Sequence, residues 1–158
     1  MGCSKLCLQR GADLARPVLK GLEFLAPGID LYIRFYVAEV FWKSGLTKID
    51  NWESTVTLFE NEFKVPLLSP EVAAYAGTAT ELIFPALLLL GLGGRFSAFV
   101  LFVFNIIAVI SYPELSEAGL KDHQFWGLLL LITLLHGPGK LSVDHFIRRK
   151  FMPQESVT

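Results

Sequence analysis

Residues 69–95 read SPEVAAYAGTATELIFPALLLLGLGGR and decide how this chain folds. Ser69 can cap a helix, and Pro70 suits its first position because that position needs no amide hydrogen. The helix predicted from them, 70–92, is apolar apart from small polar side chains, one tyrosine and two acids, of which only Glu81 is deep in the run. About 20 apolar residues are enough to cross a hydrocarbon layer of about 30 Å. We therefore predict that this helix spans a membrane.

Three further apolar blocks predict the same structure. They cover about residues 27–48, 95–113 and 122–137, and Leu120 is the expected start of the last helix. The chain has 158 residues, of which 53% are hydrophobic, and a mean hydropathy of +0.49. Backbone groups in lipid must find their partners within the chain. The prediction is therefore an all-α fold, a polytopic membrane four-helix bundle.

The remaining segments are predicted to lie on the two sides of the bilayer. Residues 1–26 form an amphipathic leader on the membrane surface, 27–150 form the four-helix domain, and 151–158 form a tail. In the first outer loop, 49–69, four apolar side chains recur at helical spacing: Trp52, Val56, Phe59 and Phe63. This pattern indicates an interfacial helix that covers the mouth of the bundle, or a loop helix without a function.

Basic residues predict the orientation of the bundle. Nine lysines and arginines lie on the side of the two termini, and three lie on the other side. The positive side of a membrane protein is cytoplasmic, so both termini are predicted to be cytoplasmic in a bacterial inner membrane. The net charge of −1 argues against a nucleic-acid partner.

Four charged residues interrupt the apolar blocks: Arg34, Glu39, Lys43 and Glu81. An unpaired charge at the centre of a bilayer costs about 2.5–3.5 kcal/mol or more, so each needs a partner, water or a ligand. Glu39 and Lys43 are four residues apart, in the favoured order for a salt bridge. We predict an interhelical pair between Arg34 and Glu81, whereas Lys48 can reach the interface. These charges build either a functional interior or a purely structural one.

Other polar and aromatic side chains are predicted to line this interior: Tyr36, Asn105, Trp126 and His136. Pro85 cannot donate to the carbonyl of Glu81, so a kink and a free acceptor are expected there. His136 can titrate or bind a metal, or it can bond to the last carbonyls of its helix. Cys3 and Cys7 are weak metal candidates because two ligands alone do not make a site.

Four short segments carry a family resemblance. They are Arg34 followed by Gly45-Leu-Thr-Lys48, Ala76-Gly-Thr-Ala-Thr-Glu81, Leu89-Leu-Gly-Leu-Gly-Gly-Arg95, and Gly137-Pro-Gly-Lys-Leu-Ser-Val-Asp144. In this order the chain resembles the DoxX family of four-helix bacterial inner-membrane proteins over about residues 30–150. The matched positions are Arg34, Lys48, Glu81 and Arg95. Phe84-Pro85 replaces a glycine of the family pattern, so the pocket is expected to differ in shape.

The resemblance implies an association with redox, sulfur or oxidative-stress chemistry. Some relatives are subunits of a thiosulfate:quinone oxidoreductase, and others are membrane partners in thiol-stress complexes. The chain has no self-contained catalytic motif, so we predict a membrane subunit of a redox or stress-response system that binds a small amphipathic molecule, with quinone as the candidate cofactor. The alternative is a noncatalytic scaffold that docks a partner protein. Either interpretation implies a lipid bilayer and a partner protein or homo-oligomer.

Overall fold

The computed structural model describes residues 3–151, with side chains from Arg16 onward. That part of the chain is helical and contains no strand, which confirms the all-α prediction. The helices in chain order are α1 Cys3–Asp50, α2 Trp52–Asn61, α3 Pro70–Leu90, α4 Gly94–Ser111, α5 Glu117–His136 and α6 Val143–Phe151. Cys3 and Cys7 lie outside the described side chains, and most of the predicted tail lies outside the described residues.

Helix α1 is the longest element, with 48 residues and a length of about 72 Å. It runs through Pro17 and Pro27 without interruption, so the predicted leader and the first apolar block form one continuous helix. Each proline removes one backbone hydrogen bond, a local loss that packing of the helix further along can offset. Residues 16–26 are exposed on this helix. Their placement on a membrane surface stays a prediction.

Helices α3, α4 and α5 agree with the predicted blocks to within a few residues. Helix α3 ends at Gly91, which adopts a left-handed conformation with φ of 66°. Helix α5 begins at Glu117, earlier than predicted, because the hydroxyl of Ser116 accepts from the amide of Gly119 and caps the first turn. Hydropathy alone misses this start, since the first turns of α5 are polar.

Two short helices flank the bundle. Helix α2 lies where the loop pattern predicted a helix, and the side chain of Asn51 caps it by accepting from the amide of Ser54. Its Phe59 is buried against Ala73 and Ala74 of α3. Helix α6 was not predicted, because its sequence is mostly polar and basic and gives no apolar block.

Helix α3 is at the centre of the fold and packs against α1, α2 and α4. A Cβ on Gly45 of α1 would come within 2.9 Å of the Leu82 side chain, so glycine allows these two helices to approach closely. By length and composition, α3 and α4 are the two helices in the described chain able to cross a membrane. For α1 and α5, which carry more charge, the predicted spans stay predictions.

Candidate functional site

Arg34 lies at the end of the bundle where α3 finishes. Its side chain is 1% exposed, and its guanidinium donates to the backbone oxygens of Leu88 at 3.3 Å, Leu89 at 2.9 Å and also Leu141. A cation is well placed there because the last carbonyls of a helix have no amide partner within it. The predicted pair between Arg34 and Glu81 is therefore wrong, since the arginine holds two segments of backbone together.

Asp144 connects the same region to the start of α4. Its carboxylate accepts from the amides of Gly93 at 2.9 Å and Gly94 at 2.8 Å, so it caps the first turn of α4. Its own amide donates to the oxygen of Gly91 at 3.0 Å. Residues 91–95 and 137–144 thus form what we call the capping corner. Two of the four segments that carry the family resemblance meet there, and the roles observed are structural.

Arg95 has a related but weaker role at the capping corner. Its guanidinium donates to the oxygens of Leu135 at 3.2 Å and His136 at 3.5 Å, at the end of α5. His136 is exposed, and its Nδ1 lies 3.3 Å from the oxygen of Ile132. This contact matches the carbonyl-binding alternative for His136 and separates the residue from the predicted charged interior.

Two glycines of the capping corner provide a matched test of its packing. Gly91 and Gly93 both have positive φ, 66° and 57°, where a side chain is strained. A Cβ on Gly91 would meet Ser142 and lie 2.6 Å from Nη1 of Arg34, whereas one on Gly93 meets nothing within 4 Å. We expect Gly93→Ala to lower the free energy of unfolding by about 1 kcal/mol and Gly91→Ala by about 2–3 kcal/mol. Unfolding titrations in mixed micelles measure both; equal losses would contradict the packing.

A cavity of about 660 Å³ lies at the other end of the bundle, between α1, α3, α4 and α5. Apolar side chains make up most of its wall: Phe59, Phe63, Val65, Leu68, Phe104 and Ile107. Phe59 belongs to α2, and Phe63 follows it in the loop that leads to α3. We call this space the apolar cavity. Its volume suits a drug-sized or cofactor-sized ring.

The charged wall of the apolar cavity is formed by Lys48 and Glu81. The Lys48 ammonium lies 2.8 and 2.7 Å from the two carboxylate oxygens of Glu81, and the side chains are only 16% and 7% exposed. Ser44 joins them, since it accepts from Lys48 at 2.9 Å and donates to Glu81 at 3.2 Å. Lys48 was expected to reach the interface, but instead it neutralises the one buried carboxylate of the site.

His123 and Asn105 form a second polar group. His123 borders the apolar cavity, and its Nδ1 lies 2.8 Å from Oδ1 of Asn105. Asn105 also donates from Nδ2 to the backbone oxygen of His123 at 2.9 Å. Trp126 lies edge-on to the imidazole, with ring centroids 4.9 Å apart. Asn105 is therefore buried as expected. It forms hydrogen bonds with both the ring and the backbone of His123, a residue that was not among the predicted site residues.

The other predicted site residues lie away from the apolar cavity. Glu39 and Lys43 form the predicted salt bridge at 2.6 Å, but their side chains are 41% and 72% exposed. Tyr36 and Trp126 pack against the hydrophobic core. The prediction of one charged interior is therefore wrong: its four charges lie at the capping corner, on the surface of α1 and in the cavity wall.

Tyr112 closes the apolar cavity next to α2. It follows α4 directly, and its ring stacks on Phe63 with centroids 5.0 Å apart. The amide of Lys64 donates to the oxygen of Ser111 at 2.8 Å, which ties the loop to the end of α4. The negative charge of Glu62 raises the pKa of Tyr112, helped by partial burial. A hydrogen bond that the phenol donates to the Glu62 carboxylate raises this pKa further, so the phenol hydrogen is directed to Glu62.

Metal binding finds no support in the part of the chain that the structure describes. No group of three or more histidine, cysteine, aspartate or glutamate side chains there could hold an ion. The polar groups of the apolar cavity are instead one ion pair, one imidazole and several hydroxyls. They can bind an organic molecule through hydrogen bonds.

An all-α fold with two helices long and apolar enough to cross a membrane is a feature of helical membrane-protein families. Comparison of the sequence with known families then shows which one: the chain belongs to the DoxX family, whose model matches residues 29–113. An uncharacterized protein of Haemophilus influenzae is 31% identical over 140 residues, which cover 82% of this chain and 91% of the relative. No solved structure matches the chain. The family match includes Lys48 and Glu81 but ends before His123.

Proposed function

We propose that this protein is a multi-pass inner-membrane subunit of a redox or stress-response system that binds a small amphipathic ring, such as a quinone, in the apolar cavity. The observation that carries the proposal is a buried Lys48–Glu81 pair in the wall of an otherwise largely apolar space of about 660 Å³. Ligand sites in proteins are typically apolar with a few convergent polar groups. Ionisable residues within membrane helices favour a functional role by default.

The chemistry of the wall suits a quinone head group. Lys48 can donate to a ring carbonyl in exchange for its hydrogen bond to Ser44, and Glu81 can accept a proton from a hydroxyl. Phe59, Phe63 and Phe104 offer apolar surface to the ring. The sequence contains no recognisable haem or iron–sulfur motif, so we infer that electrons are exchanged with a partner protein.

The membrane arrangement that we propose has four spans, with both termini in the cytoplasm. Helices α3 and α4 supply the two most apolar spans. Large apolar side chains are exposed on the outer faces of the helices, where lipid would cover them: Ile83, Phe96, Phe99, Ile106, Ile110 and Leu128. The basic residues at the termini and at Arg95 support this orientation.

Replacing Glu81 tests the proposed site. We expect wild-type protein purified in mild detergent to retain a lipophilic ring compound, detected by mass spectrometry of the extract. Glu81→Gln removes the negative charge but keeps the size of the side chain, and we expect it to reduce retention about tenfold. Glu39→Gln is the matched control, because Glu39 forms the same kind of pair on the surface of α1. The Glu39→Gln variant should therefore retain the compound.

A specific observation favours the scaffold alternative. Residues 16–26 of α1 are exposed, among them Val18, Leu22 and Phe24, and a partner helix could pack against these side chains. If the wild-type protein carries no ring compound and co-purifies with a partner that is lost when residues 1–26 are deleted, the scaffold function replaces the ligand-binding one.

A further inference from the structure

The tautomer of His123 follows from its contacts with Asn105. Asn105 Nδ2 lies 2.9 Å from the backbone oxygen of His123, an atom that can only accept, so the orientation of the amide is settled. The atom 2.8 Å from His123 Nδ1 is then the amide oxygen, which also only accepts. The hydrogen of the neutral imidazole therefore lies on Nδ1. Nε2 keeps its lone pair and has no hydrogen-bond partner within the described chain.

The polar groups of the apolar cavity differ in what they offer a ligand. The Lys48–Glu81 pair donates through its ammonium and accepts through its carboxylate. Neutral His123 can only accept at Nε2. A quinone carbonyl only accepts, so it gains nothing from this nitrogen, whereas a quinol hydroxyl can donate to it. His123 is thus the wall residue that distinguishes the two forms.

We propose that His123 makes the apolar cavity selective for the reduced, hydroxyl-bearing form of its aromatic ligand, and that Asn105 is the positioning residue that fixes the required tautomer. The inference rests on the proposed function, because it names which form of the ring compound the same site prefers. It also goes beyond that function, since Lys48 and Glu81 alone would bind either form.

The test compares decylubiquinol with decylubiquinone by calorimetric titration of the full chain in detergent, without oxygen, at about pH 8, where an ordinary histidine is neutral. We expect the quinol to bind wild-type protein about tenfold more tightly than the quinone. His123→Gln keeps a polar side chain but can donate or accept, and we expect it to abolish the preference. The control His136→Gln, at the capping corner, should keep it.

A second variant separates positioning from a purely structural role. Asn105→Leu frees the imidazole to carry its hydrogen on either nitrogen, so quinol should bind less tightly and quinone more tightly than in wild type. General damage to the site would weaken both. If wild-type protein bound quinol and quinone with equal affinity, or if the preference for quinol survived in His123→Gln, the role proposed for His123 would be overturned but the proposed function would not. Wild-type protein that binds neither form would overturn the proposed function itself.

Discussion

Arg34→Met is expected to lower the free energy of unfolding by about 3–5 kcal/mol. The substitution keeps an unbranched side chain but leaves the backbone oxygens of Leu88, Leu89 and Leu141 without the donor that now holds them. Leu88 and Leu89 belong to the last turn of α3, and because the Leu88 oxygen also accepts from the amide of Gly91 at 3.1 Å, the loss falls mainly on the oxygens of Leu89 and Leu141. Unfolding in mixed micelles of increasing denaturing-detergent content measures the change.

Arg95→Met is the control for this prediction. Arg95 also donates to carbonyls at a helix end, but its two contacts are longer, at 3.2 and 3.5 Å, and they are exposed. We expect a loss of no more than about 1 kcal/mol. Arg34→Lys should fall between the two, because an ammonium lacks the planar fork that reaches several oxygens. Equal losses in Arg34→Met and Arg95→Met would show that burial of Arg34 is not what matters.

The register of the helices explains why the partner of Arg34 was predicted wrongly. Helices α1 and α3 run antiparallel, and Gly45 and Lys48 lie level with Leu82 and Glu81. Arg34 is then about two helical turns beyond Glu81, beside Leu88. Opposite charges on two predicted helices suggest a pair, but the axial register between the helices decides whether the two side chains lie at the same level. Patterns within each segment do not fix this register between helices.

Local patterns, in contrast, were sufficient for several features. The salt bridge between Glu39 and Lys43 depends only on a spacing of four within one helix, and it forms as predicted. The start of α3 at Pro70 and the helix in the first loop follow from the same kind of short-range rule, although the side chain of Ser69 makes no capping hydrogen bond. A spacing rule within one helix does not determine which face of the helix is exposed. The pattern could therefore not show that the Glu39–Lys43 salt bridge faces outward.

The apolar cavity depends on contacts between distant segments. Ser44 and Lys48 are four residues apart and lie on one face of α1, a signal that indicates a shared polar face but not its partner. His123 joins the same space from the second turn of α5, where the sequence is still polar and hydropathy gives no signal. Its role depends on the amide of Asn105, on a different helix. The site therefore became visible only when four helices were placed together.

Lys48→Met is expected to lower the free energy of unfolding by about 3 kcal/mol, because it leaves the Glu81 carboxylate unpaired in a largely apolar wall. Adding Glu81→Gln removes that unpaired charge, so the double variant should recover most of the loss. The resulting coupling energy between the two side chains is expected to be about 2 kcal/mol or more. A double-mutant cycle on the free energy of unfolding measures it.

The Glu39–Lys43 pair provides the comparison, since its separation of 2.6 Å nearly equals the 2.7 Å between Lys48 and Glu81. Its side chains are exposed, and Lys43 lies far enough along α1 for its long chain to reach water. A cycle of Glu39→Gln with Lys43→Met should therefore give a coupling below about 1 kcal/mol. Distance is matched between the pairs, so a difference isolates the effect of burial. Similar couplings in both cycles would mean that water screens Lys48 and Glu81 as well, and the apolar cavity would then be a wet cleft.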